Sequence, residues 1–340
     1  MREYFPALIG NDALRVQIGR EIEERRLAHA YLLVGPAGSG KHTFARQIAA
    51  ALACEAGSGA MPCGTCSACR AILEDRDPDV ITVSRGERVT LGVEQLRAVL
   101  ADLYVAPNWH EDKIYIIEDA ETMTAQAQNA LLKALEEPPR HVRFFLLATD
   151  AAAMLETIRS RALMLRMAYL SPEQMRRCLL DRDRRAAALA ESNPDEFAAV
   201  TLAAEGCLGA AEILLDARRR KPIMLRRESA EQFLSLCVKR HSAAEVLVML
   251  SALPQKREEA SELLGLVSIA VRDLLAIKRA PGARLCFFVD ALRAEQMAEQ
   301  ISLQALLRLT DALDAAQSAL SRNANLRLTM LSLAQSANLI

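Results

Sequence analysis

Hydrophobic and polar positions follow two different patterns along this chain, and the change falls near residue 168. Before it, short unbroken apolar runs are separated by amphipathic stretches, as expected for buried parallel strands joined by crossover helices. The clearest apolar runs predict strands over Tyr31–Val34, Ile114–Ile117 and Phe144–Ala148. The first part of the chain is therefore predicted to be an α/β domain.

Beyond residue 168 the pattern is helical. Ser171 and Pro172 are typical of a helix start, with serine as the cap and proline at the first helical position. The basic run Arg218–Pro222 indicates a junction, after which residues 222–340 form a separate helical domain. Two helix faces there are too apolar to stand alone and are expected to pack together or against other subunits. Apolar residues recur on them at helical spacing at Leu263, Val267, Ala270 and Leu274, and at Leu306, Leu309, Leu313, Ala316 and Leu320.

Composition narrows the class of protein. The 340 residues are 51% hydrophobic and only 4% aromatic, which favours a helix-rich soluble protein packed by aliphatic side chains. A net charge of −1 provides no general attraction to nucleic acid or to an anionic membrane. No apolar stretch approaches the ~20 residues of a membrane span, and the first residues lack the apolar core of a signal peptide. A cytoplasmic protein is expected, in which clustered cysteines are metal ligands rather than disulfides.

A phosphate-binding loop is predicted directly after the first strand. Residues 35–41 read Gly-Pro-Ala-Gly-Ser-Gly-Lys, the G-x-x-x-x-G-K pattern, and a helical stretch over Thr43–Ala53 follows. Gly35 and Gly40 allow backbone N–H groups to surround a phosphate, and Lys41 adds a positive charge. This order of strand, loop and helix predicts a P-loop fold.

Further positions at this predicted nucleotide site depart from the usual pattern. Serine or threonine should follow the lysine to coordinate Mg²⁺, but the residue is His42, and Thr43 comes one position late. After the second strand, Glu118 and Asp119 reverse the Asp-Glu order usual in an ATPase, which indicates a degenerate metal site. Thr149 ends the third strand, where such folds place a polar residue that faces the γ-phosphate. The loop is expected to bind ATP or ADP weakly, to bind it without competent magnesium, or to be a relic.

Four cysteines follow the loop with the spacing C-x8-C-x2-C-x2-C: Cys54, Cys63, Cys66 and Cys69. Paired C-x2-C turns suit tetrahedral zinc, and four cysteines predict a closed structural site. A redox pair formed by Cys63 and Cys66, or an iron–sulfur cluster, stays open as an alternative. The other cysteines are interpreted as small buried apolar side chains: Cys178, Cys207, Cys237 and Cys286.

Together these motifs resemble the AAA+ subunits of the bacterial DNA polymerase III clamp loader, specifically the δ′ and γ/τ types. Besides the loop and the cysteines, the resemblance includes Asn129–Pro139, a helix stopped by two prolines. It also includes Ser160-Arg161-Ala162, which looks like the family's Ser-Arg-Cys motif, and it ends near Asn323–Leu328, similar to the last collar helix. The resemblance implies that Arg161 is an arginine finger offered to a neighbouring subunit's ATP site.

Three departures from the hydrolysing γ/τ pattern make the chain more similar to δ′. They are His42 after the lysine, the reversed Glu118-Asp119 pair, and Gly209 where a lid arginine would contact nucleotide. Because Arg161 is retained, the chain resembles a subunit that gives a finger but has a poor site of its own.

The resemblance implies three domains: a RecA-like AAA+ domain with a zinc module over residues 1–168 (module 54–69), a three-helix lid over 169–217, and a helical collar over 218–340. It implies a heteropentameric ring with γ/τ and δ subunits, which loads the sliding clamp onto primed DNA. The chain's own ATPase is expected to be weak or absent. As a subunit it would belong to the DNA-directed DNA polymerase (nucleotidyltransferase) holoenzyme without polymerising DNA itself.

Two alternatives remain at this stage. One is an ATP-hydrolysing γ/τ-type subunit of the same clamp loader. The other is a zinc-containing AAA+ scaffold or regulatory protein outside replication.

Overall fold

The chain divides into two compact units in its computed structural model. The first unit contains residues 1–182 and 206–210, and the second contains residues 183–205 and 211–340. The three-domain division expected at residues 168 and 217 stays a prediction. The structure describes residues 3–57, 59–238, 256–280, 285–322 and 324–336.

A parallel sheet forms the centre of the first unit. In chain order, its five strands among the described residues are β1 (Ala30–Val34), β2 (Val80–Val83), β3 (Lys113–Ile117), β4 (Val142–Ala148) and β5 (Leu163–Arg166). Side by side they follow the order β2-β3-β4-β1-β5, and every neighbouring pair is parallel. The predicted α/β class and the three predicted strands are confirmed. The two edge strands were missed because each is short and partly exposed, which leaves no unbroken apolar run.

Both faces of the sheet are covered by apolar side chains, which explains why its central strands read as continuous hydrophobic runs. On one face Tyr31 stacks on Phe145 with ring centroids 5.6 Å apart, and on the other Tyr115 stacks on Phe144 at the same distance. These rings are fully buried, in two separate apolar clusters. The sheet is therefore a rigid support for the loops that follow its strands.

Seven α-helices accompany the sheet in the described part of the first unit. The helix after the phosphate loop begins two residues earlier than predicted, at Lys41, because Gly40 takes the left-handed conformation that starts it. The start predicted at Pro172 is confirmed, and the Ser171 hydroxyl caps that helix by accepting the Gln174 N–H at 3.1 Å. The helices are α1 (Asp12–Glu23), α2 (Lys41–Leu52), α3 (Ser67–Leu73), α4 (Val93–Asp102), α5 (Ala125–Glu136), α6 (Glu156–Arg159) and α7 (Pro172–Arg182).

After α7, the regular structure among the described residues is helical. Residues 169–217 contain four helices rather than the three predicted, because Asp183 and Asn193 each cap a new one. The basic run Arg218–Pro222 lies inside a helix rather than at a linker, since Asp216 caps that helix by accepting the Arg218 N–H at 2.9 Å. These helices are α8 (Arg184–Ser192), α9 (Pro194–Ala203), α10 (Leu208–Leu215), α11 (Ala217–Val238), α12 (Arg257–Arg279), α13 (Ala291–Gln300), α14 (Leu303–Ser321) and α15 (Leu326–Ser336).

The two apolar faces predicted in the C-terminal domain belong to α12 and α14, and both are buried in one cluster. A buried carboxylate supports this core: Asp273 accepts backbone N–H groups from Cys286, Phe287 and Phe288. Asn323, at the start of the predicted last collar helix, lies outside the described residues. No helix in the described ranges combines the length and the apolar character needed to cross a membrane.

Candidate nucleotide site and cysteine cluster

The predicted phosphate loop connects β1 to α2. Gly38 and Gly40 have φ angles of +75° and +90°, which residues with side chains rarely adopt. Lys41 folds back over the loop, and its Nζ donates hydrogen bonds to the carbonyl oxygens of Gly35 at 2.5 Å and Pro36 at 2.9 Å. The loop thus has the backbone form of a phosphate site, with its lysine held by the loop's own carbonyls.

His42 is the second residue of α2 and faces the end of β3. Its Nε2 lies 3.5 Å from Oε1 of Glu118, and the two side chains are 39% and 35% exposed. Burial lowers the pKa of His42, and this effect exceeds the opposing effect of Glu118. Thr43 follows on the same helix and is exposed. An imidazole therefore takes the place of the hydroxyl that would coordinate a metal, and it contacts the carboxylate expected to share that metal.

Asp119 was predicted beside Glu118 at the nucleotide site, but its carboxylate is bound elsewhere. Its backbone takes a left-handed conformation, with φ +47°. Its Oδ2 accepts a hydrogen bond from Nε of Arg85 at 2.9 Å. Arg85 also donates to backbone carbonyls of the loop that follows β2. The carboxylate therefore anchors that loop. The position of Asp119 next to Glu118 in the sequence could not indicate this contact.

A third carboxylate, Glu121, was missed by sequence reasoning and contacts the predicted Thr149. The Thr149 hydroxyl donates to Glu121 Oε1 at 2.5 Å, and the Thr149 N–H donates to the same oxygen at 3.1 Å. The other carboxylate oxygen, Oε2, is buried without a partner. Burial lowers the pKa of Lys41, and Glu121 makes the largest opposing contribution. The sequence signal for Glu121 was weak because its partner follows a different strand.

These groups do not fit a magnesium ion. Mg²⁺ requires a near-octahedral set of oxygen ligands at about 2.0–2.1 Å. The carboxylates of Glu118, Asp119 and Glu121 each contact a donor group of the protein, and His42 offers a ring nitrogen rather than an oxygen. The metal-coordinating part of the predicted site is therefore replaced by contacts within the chain.

Gly209, predicted to stand where a lid arginine would contact nucleotide, packs directly on the phosphate loop. Its N–H donates to the Gly38 carbonyl oxygen at 3.0 Å. A Cβ added at Gly209 would lie 3.0 Å from the Gly38 Cα, and one added at Gly38 would lie 2.9 Å from the Ala210 nitrogen. Residues 206–210 belong to the first unit for this reason, and the contact leaves no room for a side chain.

We expect Gly209→Ala to lower the free energy of unfolding by about 1–3 kcal/mol, because a methyl group is forced into a tightly packed contact. Urea unfolding, followed by circular dichroism, measures the change. Gly57→Ala is the control, since no atom lies within 4 Å of a Cβ added there. Equal stability of the two variants would show that the Gly209 contact is not tight in solution.

Arg161, the predicted finger, ends the turn after α6. Its Nη2 lies 2.7 Å from Oε1 of Glu136 at the end of α5, and its Nη1 donates to the Thr157 carbonyl oxygen and the Ser160 hydroxyl. The side chain remains 35% exposed. Its orientation is thus fixed by neighbouring groups while part of the guanidinium stays accessible.

The predicted cysteine cluster is brought together by the end of α2 and the start of α3. The sulfur atoms of Cys54, Cys63, Cys66 and Cys69 all lie within 4.8 Å of one another, and those of Cys63 and Cys69 are 3.9 Å apart. Backbone N–H groups of Cys63, Cys66 and Cys69 each point at a sulfur of the set, at 3.4–3.5 Å. Of the other four cysteines, which were predicted to be buried, Cys178, Cys207 and Cys237 are buried and Cys286 is partly exposed.

The cysteine cluster fits zinc. Tetrahedral coordination with Zn–S bonds of about 2.3 Å separates the sulfurs by about 3.8 Å, close to the observed spacing. Hydrogen bonds from Thr65 and Cys66 lower the pKa of Cys63 to about 6, which favours the thiolate that a metal requires. Burial raises the pKa of Cys69. The four cysteines could therefore hold a zinc ion.

Comparison with known proteins supports a clamp-loader relationship for the N-terminal half. Residues 10–171 match the family model described as "DNA polymerase III, delta subunit". Over 171 residues the chain is 36% identical to DNA polymerase III subunit gamma of Buchnera aphidicola subsp. Schizaphis graminum. The aligned region covers 50% of this chain and 47% of that protein. Over 172 residues it is 37% identical to DNA polymerase III subunit tau of Escherichia coli K12, which covers 51% of this chain and 26% of that protein.

The matched region spans less than half the length of either relative. A solved γ-subunit-related protein of Thermotoga maritima aligns with 95% of this chain and 98% of its own, at 20% identity and a TM-score of 0.44, too low to establish a common fold over the whole length. Together the sequence matches show that the N-terminal half of the chain is similar to DNA polymerase III subunits. They do not separate the δ′ type from the γ/τ type.

Proposed function

We propose that this chain is a δ′-type subunit of the bacterial DNA polymerase III clamp loader. It joins γ/τ and δ subunits in a heteropentameric ring, in the cytoplasm, and helps that ring to load the sliding clamp onto primed DNA. Support comes from the match of residues 10–171 to the delta-subunit family and from the gamma and tau relatives over the same region.

The contact between His42 and Glu118 is the observation that favours the δ′ type over the γ/τ type. Hydrolysis of ATP in P-loop proteins depends on a metal ion. That ion is held by the hydroxyl after the lysine and by a carboxylate that follows another strand of the sheet. In this chain the hydroxyl is absent, and the ring nitrogen of His42 lies 3.5 Å from the carboxylate. A site arranged in this way contributes little or no hydrolysis of its own.

Arg161 supplies the activity that this subunit retains. An arginine finger stabilises the charge that develops on the transferred phosphoryl group at a neighbouring site. The contacts of Arg161 with Glu136 and Thr157 hold its guanidinium at one place, so less side-chain entropy is lost when it meets a phosphate. The cysteine cluster has a structural role in this proposal: it holds one zinc ion that joins the end of α2 to α3.

Arg161→Ala tests the proposal in a reconstituted complex with γ/τ and δ subunits. We expect the DNA-dependent ATPase of the complex to fall by the share of the one site that Arg161 completes, because that site loses a contribution of about 10³–10⁵ in kcat while the other sites stay intact. Assembly should be unchanged. Arg159→Ala is the matched control, since Arg159 is also exposed at the end of α6. An assembled Arg161→Ala complex with normal ATPase would exclude the finger role.

A γ/τ-type subunit that hydrolyses ATP is the second candidate, favoured by the names of the matched relatives. It predicts ATP turnover by the purified chain that Lys41→Ala abolishes. The δ′ proposal predicts no turnover above background for either protein. An ATPase assay of both, in the presence of γ/τ partners inactivated at their own phosphate loops, decides between the two.

A further inference from the structure

We infer that the phosphate loop selects a nucleotide polyphosphate free of magnesium, and that His42 is the residue that sets this preference. The inference concerns this chain's own site and goes beyond its role as a donor of Arg161. The class of ligand is a nucleoside di- or triphosphate, bound through its phosphate groups.

The first step is the replacement of the metal ligands. In a P-loop site, a hydroxyl on the second residue of this helix and a carboxylate after another strand of the sheet hold Mg²⁺ against the phosphates. Here the imidazole of His42 lies 3.5 Å from the carboxylate of Glu118. A histidine at this position removes one oxygen ligand and places its ring nitrogen beside one oxygen of the second ligand.

The second step is the state of the other carboxylates near the loop. The Asp119 carboxylate accepts a hydrogen bond from Arg85 at 2.9 Å. The Glu121 carboxylate accepts hydrogen bonds from the hydroxyl and the backbone N–H of Thr149. One oxygen of each acidic residue after β3 is therefore engaged by a protein group, and the hydroxyl that would complete the set of metal ligands is absent. A magnesium ion carried by a nucleotide thus meets an incomplete set of ligands.

The third step is what the loop retains. Gly38 and Gly40 keep positive φ angles, and α2 begins at the loop, so its dipole favours an anion there. Lys41 adds a cation whose bonds to two loop carbonyls can be exchanged for bonds to phosphate. These contacts recognise phosphate oxygens directly and need no metal.

Titration of the full chain with ADP and with ATP, in excess MgCl₂ or in excess EDTA, measures the preference. For the wild type we expect lower Kd values in EDTA than in magnesium, since the metal adds no contact to the protein and neutralises phosphate charge that Lys41 would otherwise meet. Lys41→Ala should weaken binding in both media, which places the nucleotide on the loop. Equal or tighter wild-type binding in magnesium would overturn the inference. Absence of binding in both media would also overturn it.

The variants assign the preference to His42. His42→Thr supplies the missing hydroxyl and frees Glu118, so it should bind about tenfold more tightly in magnesium than in EDTA, a gain of about 1.4 kcal/mol. His42→Ser is the second variant of this kind. His42→Ala frees Glu118 without supplying the hydroxyl and should show no such gain. If neither hydroxyl variant gains magnesium dependence, the preference does not come from His42. These titrations involve no partner subunit, so their failure would leave the role proposed for Arg161 standing.

Discussion

Cys69→Ser is expected to abolish metal binding and to destabilise the first unit by several kcal/mol. Structural zinc contributes about 10–16 kcal/mol of apparent binding free energy in small zinc domains, and part of it stabilises the fold that surrounds the site. Cys69 is the fully buried member of the cluster, and it lies against the end of α2, where its sulfur is 3.6 Å from the Ala50 carbonyl oxygen. Loss of the metal therefore separates α3 from the helix that follows the phosphate loop.

Elemental analysis of the purified chain measures the metal, and urea unfolding measures the stability. The wild type should contain one zinc per chain, and Cys69→Ser should contain none. Cys237→Ala is the control, since Cys237 is a buried cysteine of the second unit outside the cluster and its loss should leave the zinc in place. A folded wild type purified without metal, or one that contains iron, would contradict the zinc proposal.

Asp79→Asn is expected to lower the free energy of unfolding by about 3 kcal/mol, because hydrogen bonds to a buried charge are worth about 1.5–3 kcal/mol and more than one is lost. Asp79 is fully buried before β2. Its carboxylate accepts the backbone N–H groups of Asn108, Trp109 and His110 at 2.6, 2.6 and 3.1 Å. An amide retains one acceptor oxygen and turns an NH₂ group towards the remaining donors. The loop before β3 should therefore lose its anchor.

The pH dependence gives a second measurement of the same effect. Burial raises the pKa of Asp79, but the hydrogen bonds from Asn108, Trp109 and His110 outweigh it, and the pKa lies below its usual value. The stabilisation is therefore present above the unfolded-state pKa of about 3.9 and is lost as the pH falls through the lower folded-state value. The difference between wild type and Asp79→Asn should be constant near neutral pH and shrink below about pH 4.

Asp181→Asn is the control for this experiment. Asp181 is exposed on α7, 3.9 Å from Arg177, and an exposed ion pair of this kind contributes about 0.3–0.5 kcal/mol. If Asp79→Asn costs no more than this control at neutral pH, the buried carboxylate does not anchor the loop.

The sequence predicted the parts of the fold that depend on neighbouring residues. Tyr31–Val34 and Phe144–Ala148 were recognisable as strands because strands buried on both faces contain unbroken apolar runs. The phosphate loop was recognisable because its glycines and lysine are adjacent in sequence. The edge strand Leu163–Arg166 was not, since partial exposure replaces the apolar run by a mixed one. Four helices formed where three were predicted because single capping residues, such as Asn193, start new ones.

The residues of the candidate sites also divide into those that the sequence could place and those that it could not. Cys63, Cys66 and Cys69 could be assigned to one cluster from spacing alone, because a tight turn brings both sulfurs of a C-x2-C pair to one point. Asp119 could not be placed, because residues that follow a strand turn with the backbone, and its left-handed φ of +47° sends the carboxylate to Arg85. Glu121 had only a weak sequence signal, because its partner Thr149 is 28 residues away.

The sequence by itself determined that this chain contains an α/β P-loop domain, a cysteine cluster and a helical C-terminal part, since periodicity and short spacing encode these features locally. Only the tertiary structure decided that His42 contacts Glu118, that Gly209 packs on Gly38, and that Asp79 holds a distant loop. The reason is physical: strand order and chain crossings bring those groups within hydrogen-bonding distance, and neither follows from residues that are adjacent in the chain.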